Sequence, residues 1–98
     1  MSKERLTPTE IDTLEWWAAQ KTLSQTITPW GAAIRTERLA PGILFHYTPS
    51  HGGLELHAII QRRLPRGYEK TNFLNSRRWH EEDCDALKCQ RALGFDFL

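Results

Sequence analysis

The chain has 98 residues, 13 basic against 12 acidic side chains and a formal net charge of +1, so it has no global attraction for nucleic acid. Its length fits one domain over residues 1–98, because independent cores usually need about 50–200 residues. No stretch approaches the run of about 20 apolar residues that spans a membrane, no secretory signal opens the chain, and two cysteines are too few for a disulfide scaffold, so we expect a cytoplasmic protein.

The first predicted element is a helix over residues 7–25. Thr7 is a suitable N-cap, Pro8 follows at the first helical position, and Glu10 stands at the spacing of a capping box. The neighbouring Trp16 and Trp17 project about 100° apart on a helix, so a single buried stripe cannot cover both. Either the rest of the fold encloses this helix, or Trp16 is left exposed for a partner.

An antiparallel sheet is predicted for residues 32–57. Segments 28–31 and 40–42 contain Pro and Gly at positions typical of turns. Residues 43–48 are the strongest strand, because they are almost wholly aliphatic or aromatic. The strand before them pairs as a hairpin, and residues 54–56 supply a possible third strand.

A basic loop over residues 61–76 and a helix over residues 77–93 complete the chain. Acidic side chains crowd the start of this helix, basic ones lie near its end, and Gly94 suits a left-handed C-cap. For residues 57–64 a helical turn and a strand both remain open. The predicted fold is α+β, with an N-terminal helix, a small two- or three-stranded antiparallel sheet and a C-terminal helix. The last helix places four residues on one apolar face, together with Glu82: Trp79, Ala86, Cys89 and Leu93.

Four short blocks follow one another in the middle and late part of the chain: Thr28-Pro29-Trp30-Gly31, Ala40-Pro41-Gly42-Ile43, Thr48-Pro49-Ser50-His51-Gly52-Gly53 and Glu81-Glu82-Asp83-Cys84-Asp85. Together they resemble an uncharacterised domain family that bacteriophages, plasmids and other mobile elements carry. The resemblance covers residues 26–93, and the basic segment 62–78 departs from the family pattern. It implies a setting, a mobile element in the bacterial cytosol, and no reaction.

Two of these blocks contain residue types that catalyse reactions. Ser50 and His51 could be catalytic beside glycine amides that bind an anion, but a nucleophilic serine needs a base held by a third group. A tight turn is therefore favoured, in which the Ser50 hydroxyl bonds to nearby amides. Glu82 needs a partner if it is buried, and His51 is a candidate, so we predict a polar cluster of Ser50, His51 and Glu82. A small hydrolase or transferase that uses His51, Glu82 and Cys84 remains an alternative.

The sequence also contains residues that can ligate a metal ion. His80 and Cys84 are four residues apart and would share a face of the predicted helix. Zinc sites normally have three or four ligands at characteristic spacings, and the other histidines are scattered along the chain. We therefore predict no metal, no cofactor and no catalytic constellation.

The distribution of charge is the remaining functional signal. Residues 61–78 carry a local charge of +5 with Tyr68 and Phe73 interleaved, whereas residues 80–98 carry −3. This asymmetry favours oriented docking onto a partner, and Arg, Trp and Tyr are common at binding hot spots. We predict a protein of a phage or mobile element that binds a host protein or ribonucleoprotein complex and blocks it sterically, as anti-CRISPR proteins do. The predicted partner-binding residues are Arg62, Arg63, Arg66, Tyr68, Lys70, Arg77, Arg78 and Trp16.

The same basic segment supports a different class of partner. Arginines and lysines with aromatic residues between them suit single-stranded nucleic acid, because bases stack on aromatic rings while cations neutralise phosphates. A nucleic-acid-binding accessory protein that uses residues 62–78 is therefore the main alternative.

Overall fold

An antiparallel sheet of four strands organises the fold, which we describe from a computed structural model over residues 5–98. In chain order the elements are α1 (Pro8–Leu23), β1 (Ile27–Thr28), β2 (Gly31–Ala32), β3 (Arg35–Ala40), β4 (Ile43–Tyr47), β5 (Gly52–Leu56), α2 (Ala58–Gln61), a 3₁₀ turn (Tyr68–Thr71), β6 (Trp79–Glu81) and α3 (Cys84–Leu93). The strand order of the sheet is β3-β4-β5-β6, and a separate two-stranded hairpin, β1-β2, precedes it. The predicted α+β class is confirmed.

Helix α1 begins with the capping box that the sequence predicts. The Thr7 hydroxyl accepts a hydrogen bond from the Glu10 amide at 3.1 Å, and the Glu10 carboxylate accepts one from the Thr7 amide at 2.9 Å. Leu14 and Ala18 on the inner side of the helix are buried, whereas Trp16 projects into solvent. The helix therefore packs along one narrow stripe, and the rest of the fold does not enclose it.

The two faces of the sheet have different compositions. Because neighbouring residues of a strand point to opposite sides, Ile43, Leu54 and Leu56 share one face, which packs against α3 in the apolar core. The opposite face, beneath α1, carries polar side chains at the centre of the sheet. Alternate positions of β3, β4 and β5 place Thr36, His46 and Glu55 there.

The predicted C-terminal helix over residues 77–93 is wrong at its start. Residues Trp79–Glu81 form β6 instead, which pairs with β5 and buries His80 opposite Leu54. Asp83 then takes a positive φ of 71°, which turns the chain into α3 at Cys84. Trp79 and Glu82 therefore do not lie on the face of α3 that buries Ala86, Cys89 and Leu93.

The remaining predictions along the chain have mixed outcomes. The sheet has four strands, not two or three, because β6 adds one. The undecided segment 57–64 contains the short helix α2, and the predicted basic loop is interrupted by the 3₁₀ turn. Gly94 ends α3 in the left-handed conformation as predicted, with φ 84°, and its amide binds the Gln90 carbonyl. None of the helices in the described part of the chain is long and apolar enough to cross a membrane.

Candidate functional site

A buried carboxylate lies between α1 and the sheet. Glu55 is only 1% exposed, and its Oε1 is 2.7 Å from His46 Nε2. Its Oε2 lies 2.9 Å from Nε and 2.8 Å from Nη2 of Arg78, and 3.1 Å from Lys21 Nζ. The partners come from α1, from β4 and from the residue that precedes β6. One side chain therefore ties three distant segments together.

The partners of Glu55 decide its charge. Burial alone would raise the pKa of Glu55, but hydrogen bonds from His46, Arg78 and Lys21 outweigh burial and hold the pKa below its ordinary value. Glu55 is therefore ionised at neutral pH and can only accept hydrogen bonds. The hydrogen on His46 Nε2 then points to Glu55, which leaves Nδ1 to face the Thr36 hydroxyl at 2.7 Å.

Aromatic rings pack around this network. The Arg78 guanidinium lies 4.6 Å from the Trp79 ring centroid, and Trp30 meets Trp79 edge-on at 5.9 Å. Gly53 of β5 makes room for Trp30, since a Cβ added there would lie 2.3 Å from the Trp30 ring and 2.5 Å from the His80 carbonyl oxygen. Trp30 therefore covers the glycine of the family block at residues 48–53.

The predicted polar cluster of Ser50, His51 and Glu82 lies on the surface. His51 Nδ1 is 3.9 Å from Glu82 Oε2, and the Glu82 amide donates to the Gly52 carbonyl at 3.0 Å. The turn itself is held by Thr48, whose hydroxyl accepts from the His51 amide and donates to the His51 carbonyl. Ser50, the residue that we expected to make such bonds, is exposed.

The residues considered for metal ligation are separated. His80 lies on β6, is fully buried, and its Nε2 is 2.8 Å from the Arg77 carbonyl oxygen. Cys84 is exposed at the start of α3, so the helical spacing assumed for this pair does not exist. Burial lowers the pKa of His80, which favours its neutral form. Within residues 5–98, no group of three or more His, Cys, Asp or Glu side chains could hold a metal ion.

Three of the predicted partner-binding residues have internal contacts. Tyr68 is buried, and burial raises the pKa of its hydroxyl to about 12. Arg78 binds Glu55, as described above. The Arg77 guanidinium binds three carbonyl oxygens and one carboxylate, at 2.8–3.1 Å: those of Gln61, Leu64, Pro65 and Glu69.

Four of the other five predicted partner-binding residues are exposed. Arg62, Arg66 and Lys70 are exposed, and Arg63 is half-buried. Trp16 is exposed on the outer side of α1. Partner binding by these residues stays a prediction, and the surface available for it is smaller than the sequence indicated.

Two further large apolar side chains, Leu23 and Ile34, are exposed like Trp16. Trp16 is 67% exposed, Leu23 83% and Ile34 68%. Residues seven apart on a helix lie within about 20° of each other, so Trp16 and Leu23 share one stripe. Leu23 and Ile34 line the same groove, of about 460 Å³, between the end of α1 and β3. We call Trp16, Leu23 and Ile34 the apolar patch. The seven-residue spacing from Trp16 to Leu23 was the available sequence signal.

A second exposed aromatic side chain lies within the basic segment. Phe73 is 80% exposed, although the loop that carries it is firmly held. The Asp85 carboxylate accepts a hydrogen bond from the Phe73 amide at 2.9 Å, and the buried Asn72 side chain binds both the amide and the carbonyl of Ser76. The ring therefore projects from a fixed backbone.

The comparison with protein families covers most of this structure. Residues 23–97 match the model of a family described as Domain of unknown function (DUF7007). The chain belongs to this family. The expected resemblance to an uncharacterised domain family is thereby confirmed at that level. No curated protein and no solved structure matches the chain.

Only part of the buried network around Glu55 lies within the residues that match DUF7007. The matched region includes Thr36, His46, Glu55 and Arg78, whereas Lys21 and Trp16 precede it. The part of the network carried by the sheet therefore belongs to the family region, and most of α1 lies outside it.

Proposed function

We propose that this DUF7007 domain is a protein-binding module of a phage or mobile element, which inhibits a host protein by covering part of its surface. The role is of the kind that small anti-defence proteins such as anti-CRISPRs perform. The observation that carries the proposal is the apolar patch. Large contiguous apolar surface on a soluble domain typically marks an interaction site.

The size of the apolar patch suits a specific complex. Burying one large apolar side chain contributes roughly 1.5–3 kcal/mol, so three contribute roughly 5–9 kcal/mol before the cost of association. Micromolar binding corresponds to about 8 kcal/mol. The three side chains thus supply a substantial part of the binding free energy, with Trp16 as the natural hot spot.

Exposed cations supply the electrostatic part of the proposed interface. Arg62 and Arg66 of the basic segment are exposed. Exposed cations of this kind speed association with an acidic partner and orient it, while the apolar patch supplies affinity.

The experiment compares three forms of the tagged protein in lysate of a bacterial host. The wild type is expected to capture a host protein that the double variant Trp16→Ser/Leu23→Ser loses. Leu87→Ser, which changes an exposed leucine of α3, is the matched control and should capture normally. All three substitutions lie at the surface, so each should shift the free energy of unfolding by only about 0.5 kcal/mol. Equal capture by all three forms would show that the apolar patch does not bind the captured protein, and would contradict the proposal.

Phe73 favours a second candidate function, the binding of single-stranded nucleic acid. A fixed, exposed ring on the same segment as the exposed Lys70 and Arg66 offers a base a stacking surface, while the cations can neutralise phosphates. Binding of an oligonucleotide should weaken steeply as salt rises, and Phe73→Ala should weaken it by about 1–3 kcal/mol. Trp16→Ser should leave it unchanged. Absent or salt-independent binding would exclude this function.

A further inference from the structure

We propose that Thr36 is a base-activated nucleophile for acyl transfer, with His46 as the base and Glu55 as the group that orients it. The substrate class is a small activated acyl group, an ester or a thioester. The inference goes beyond protein binding, and it rests on a hydrogen-bonded chain of three side chains that ends at a groove.

The order of the three side chains matches that of a nucleophile, base and carboxylate triad. Ionised Glu55 accepts the hydrogen of His46 Nε2 at 2.7 Å. When the imidazole is neutral, Nδ1 carries a lone pair to which the Thr36 hydroxyl, also 2.7 Å away, can donate. A hydroxyl that donates to an imidazole held by a carboxylate is the arrangement that makes Ser or Thr nucleophilic.

The sheet register holds these groups in place. Thr36 and His46 are directly opposite each other on β3 and β4, and Glu55 follows Gly53, the partner of His46 on β5, by two residues. Oε2 of Glu55 is occupied by Arg78 and Lys21, which leaves Oε1 to His46. The imidazole therefore cannot rotate without losing both of its bonds.

Thr36 also differs from the other hydroxyls at the groove. The Thr22 hydroxyl donates to the Ala19 carbonyl at 3.0 Å, and the Ser24 hydroxyl donates to the Gln20 carbonyl at 3.1 Å. Both are thus bonded to the backbone of α1. Thr36 contacts an imidazole, so among the three hydroxyls that the described residues bring to the groove it is the one with a base.

The groove favours acyl groups over phosphoryl groups. Its volume of about 460 Å³ lies within the range of small-molecule sites, about 300–1,000 Å³. Among the described residues that line it, Arg35 is the one cation, and its guanidinium lies 4.9 Å from the Tyr47 ring centroid, on the face of the sheet opposite Thr36. Phosphoryl transfer usually employs several cations, so a groove whose one cation faces away from the nucleophile suits an acyl group better.

The proposed reaction has two balanced halves. Thr36 Oγ1 attacks the acyl carbon, its proton passes to His46 Nδ1, and the carbonyl electron pair moves to oxygen. When the carbonyl re-forms, the bond to the leaving alcohol or thiol breaks, and that group takes the proton from His46. Water then attacks the acyl-Thr36 ester, gives its proton to His46 and releases the acid, while Thr36 recovers the proton.

A fluorophosphonate probe tests this nucleophile on the full chain. Attack by Thr36 Oγ1 on phosphorus expels fluoride and leaves a stable adduct, which peptide mass spectrometry locates. We expect labelling at Thr36 and loss of labelling in Thr36→Val. His46→Gln should slow labelling by about 100-fold or more, the usual contribution of a positioned base. Thr22→Val and Ser24→Ala, which change the other hydroxyls of the groove, should react as the wild type.

The conservative variant Thr36→Ser keeps the test decisive if Thr36→Val does not fold. It retains the hydroxyl and removes one methyl group, so it should be labelled at residue 36 at least as fast as the wild type. Folded wild-type protein that forms no adduct, or forms it at another residue, would overturn the proposal. Unchanged labelling in folded His46→Gln would also overturn it, because a merely structural hydrogen bond would then explain the contact.

Discussion

Substitution of the buried carboxylate should have the largest effect on stability. In Glu55→Gln the amide oxygen still accepts from His46, but the ion pairs to Arg78 and Lys21 are lost. A hydrogen bond to a charged group is worth about 1.5–3 kcal/mol, and the half-exposed Arg78 recovers part of this by turning to water. We expect the free energy of unfolding to fall by about 2–4 kcal/mol.

Urea unfolding followed by tryptophan fluorescence measures this loss. With a slope of about 1–3 kcal/mol per molar urea, the midpoint should fall by roughly 1–2 M at unchanged slope. Glu15→Gln is the matched control, because Glu15 makes a bidentate but exposed pair with Arg38. It should cost less than about 1 kcal/mol. Equal losses in the two variants would refute the reasoning.

The pH dependence of the stability difference between the wild type and Glu55→Gln gives an independent check. The pKa of Glu55 is lower in the folded state than its ordinary value of 4.5, so the unfolded state binds more protons in acid. Its contribution to stability is complete above the unfolded pKa and is lost as pH falls through the folded pKa. The advantage of the wild type over Glu55→Gln should therefore shrink below about pH 4.5, and an advantage that grew there would contradict this sign.

Three further substitutions test individual contacts by thermal unfolding. Tyr68→Phe should leave the midpoint unchanged or raise it, because the buried hydroxyl has no hydrogen-bond partner among the described residues, and a clear loss would show a missed partner. Gly53→Ala should cost about 1–3 kcal/mol, because the added Cβ meets the His80 carbonyl, and an unchanged midpoint would contradict this packing. Arg77→Ala should cost about 2–3 kcal/mol by freeing three backbone carbonyls. The control Arg66→Ala should be neutral, and equal effects of the two would refute the assigned role.

Local signals in the sequence predicted the helix ends correctly. The capping box at Thr7 and the left-handed Gly94 depend on residues within one turn of each other, so no distant contact can change them. The predicted start of the last helix was wrong because Trp79–Glu81 leads into an acidic run that is typical of a helix N-terminus. Pairing with β5, which lies more than 20 residues earlier in the chain, decided that segment instead.

The buried network could not be predicted in the same way. Lys21, His46, Glu55 and Arg78 are far apart in sequence, and only the sheet register and the position of α1 bring them together. The signal that existed was a histidine and a glutamate inside otherwise apolar strands, since buried ionisable groups need partners. Charge counting also overstated the basic surface, because it does not distinguish Arg77 and Arg78, which have internal partners, from exposed Arg66.

The central claim is that the apolar patch binds a host protein, and its most direct test is the affinity of the captured protein for purified variants. Titration of that protein with wild type, Trp16→Ser and Leu87→Ser compares a patch residue with an exposed residue elsewhere. Loss of a tryptophan hot spot costs at least about 2 kcal/mol, so Kd should rise by about 30-fold or more for Trp16→Ser and stay unchanged for Leu87→Ser. An equal Kd for wild type and Trp16→Ser would contradict the claim.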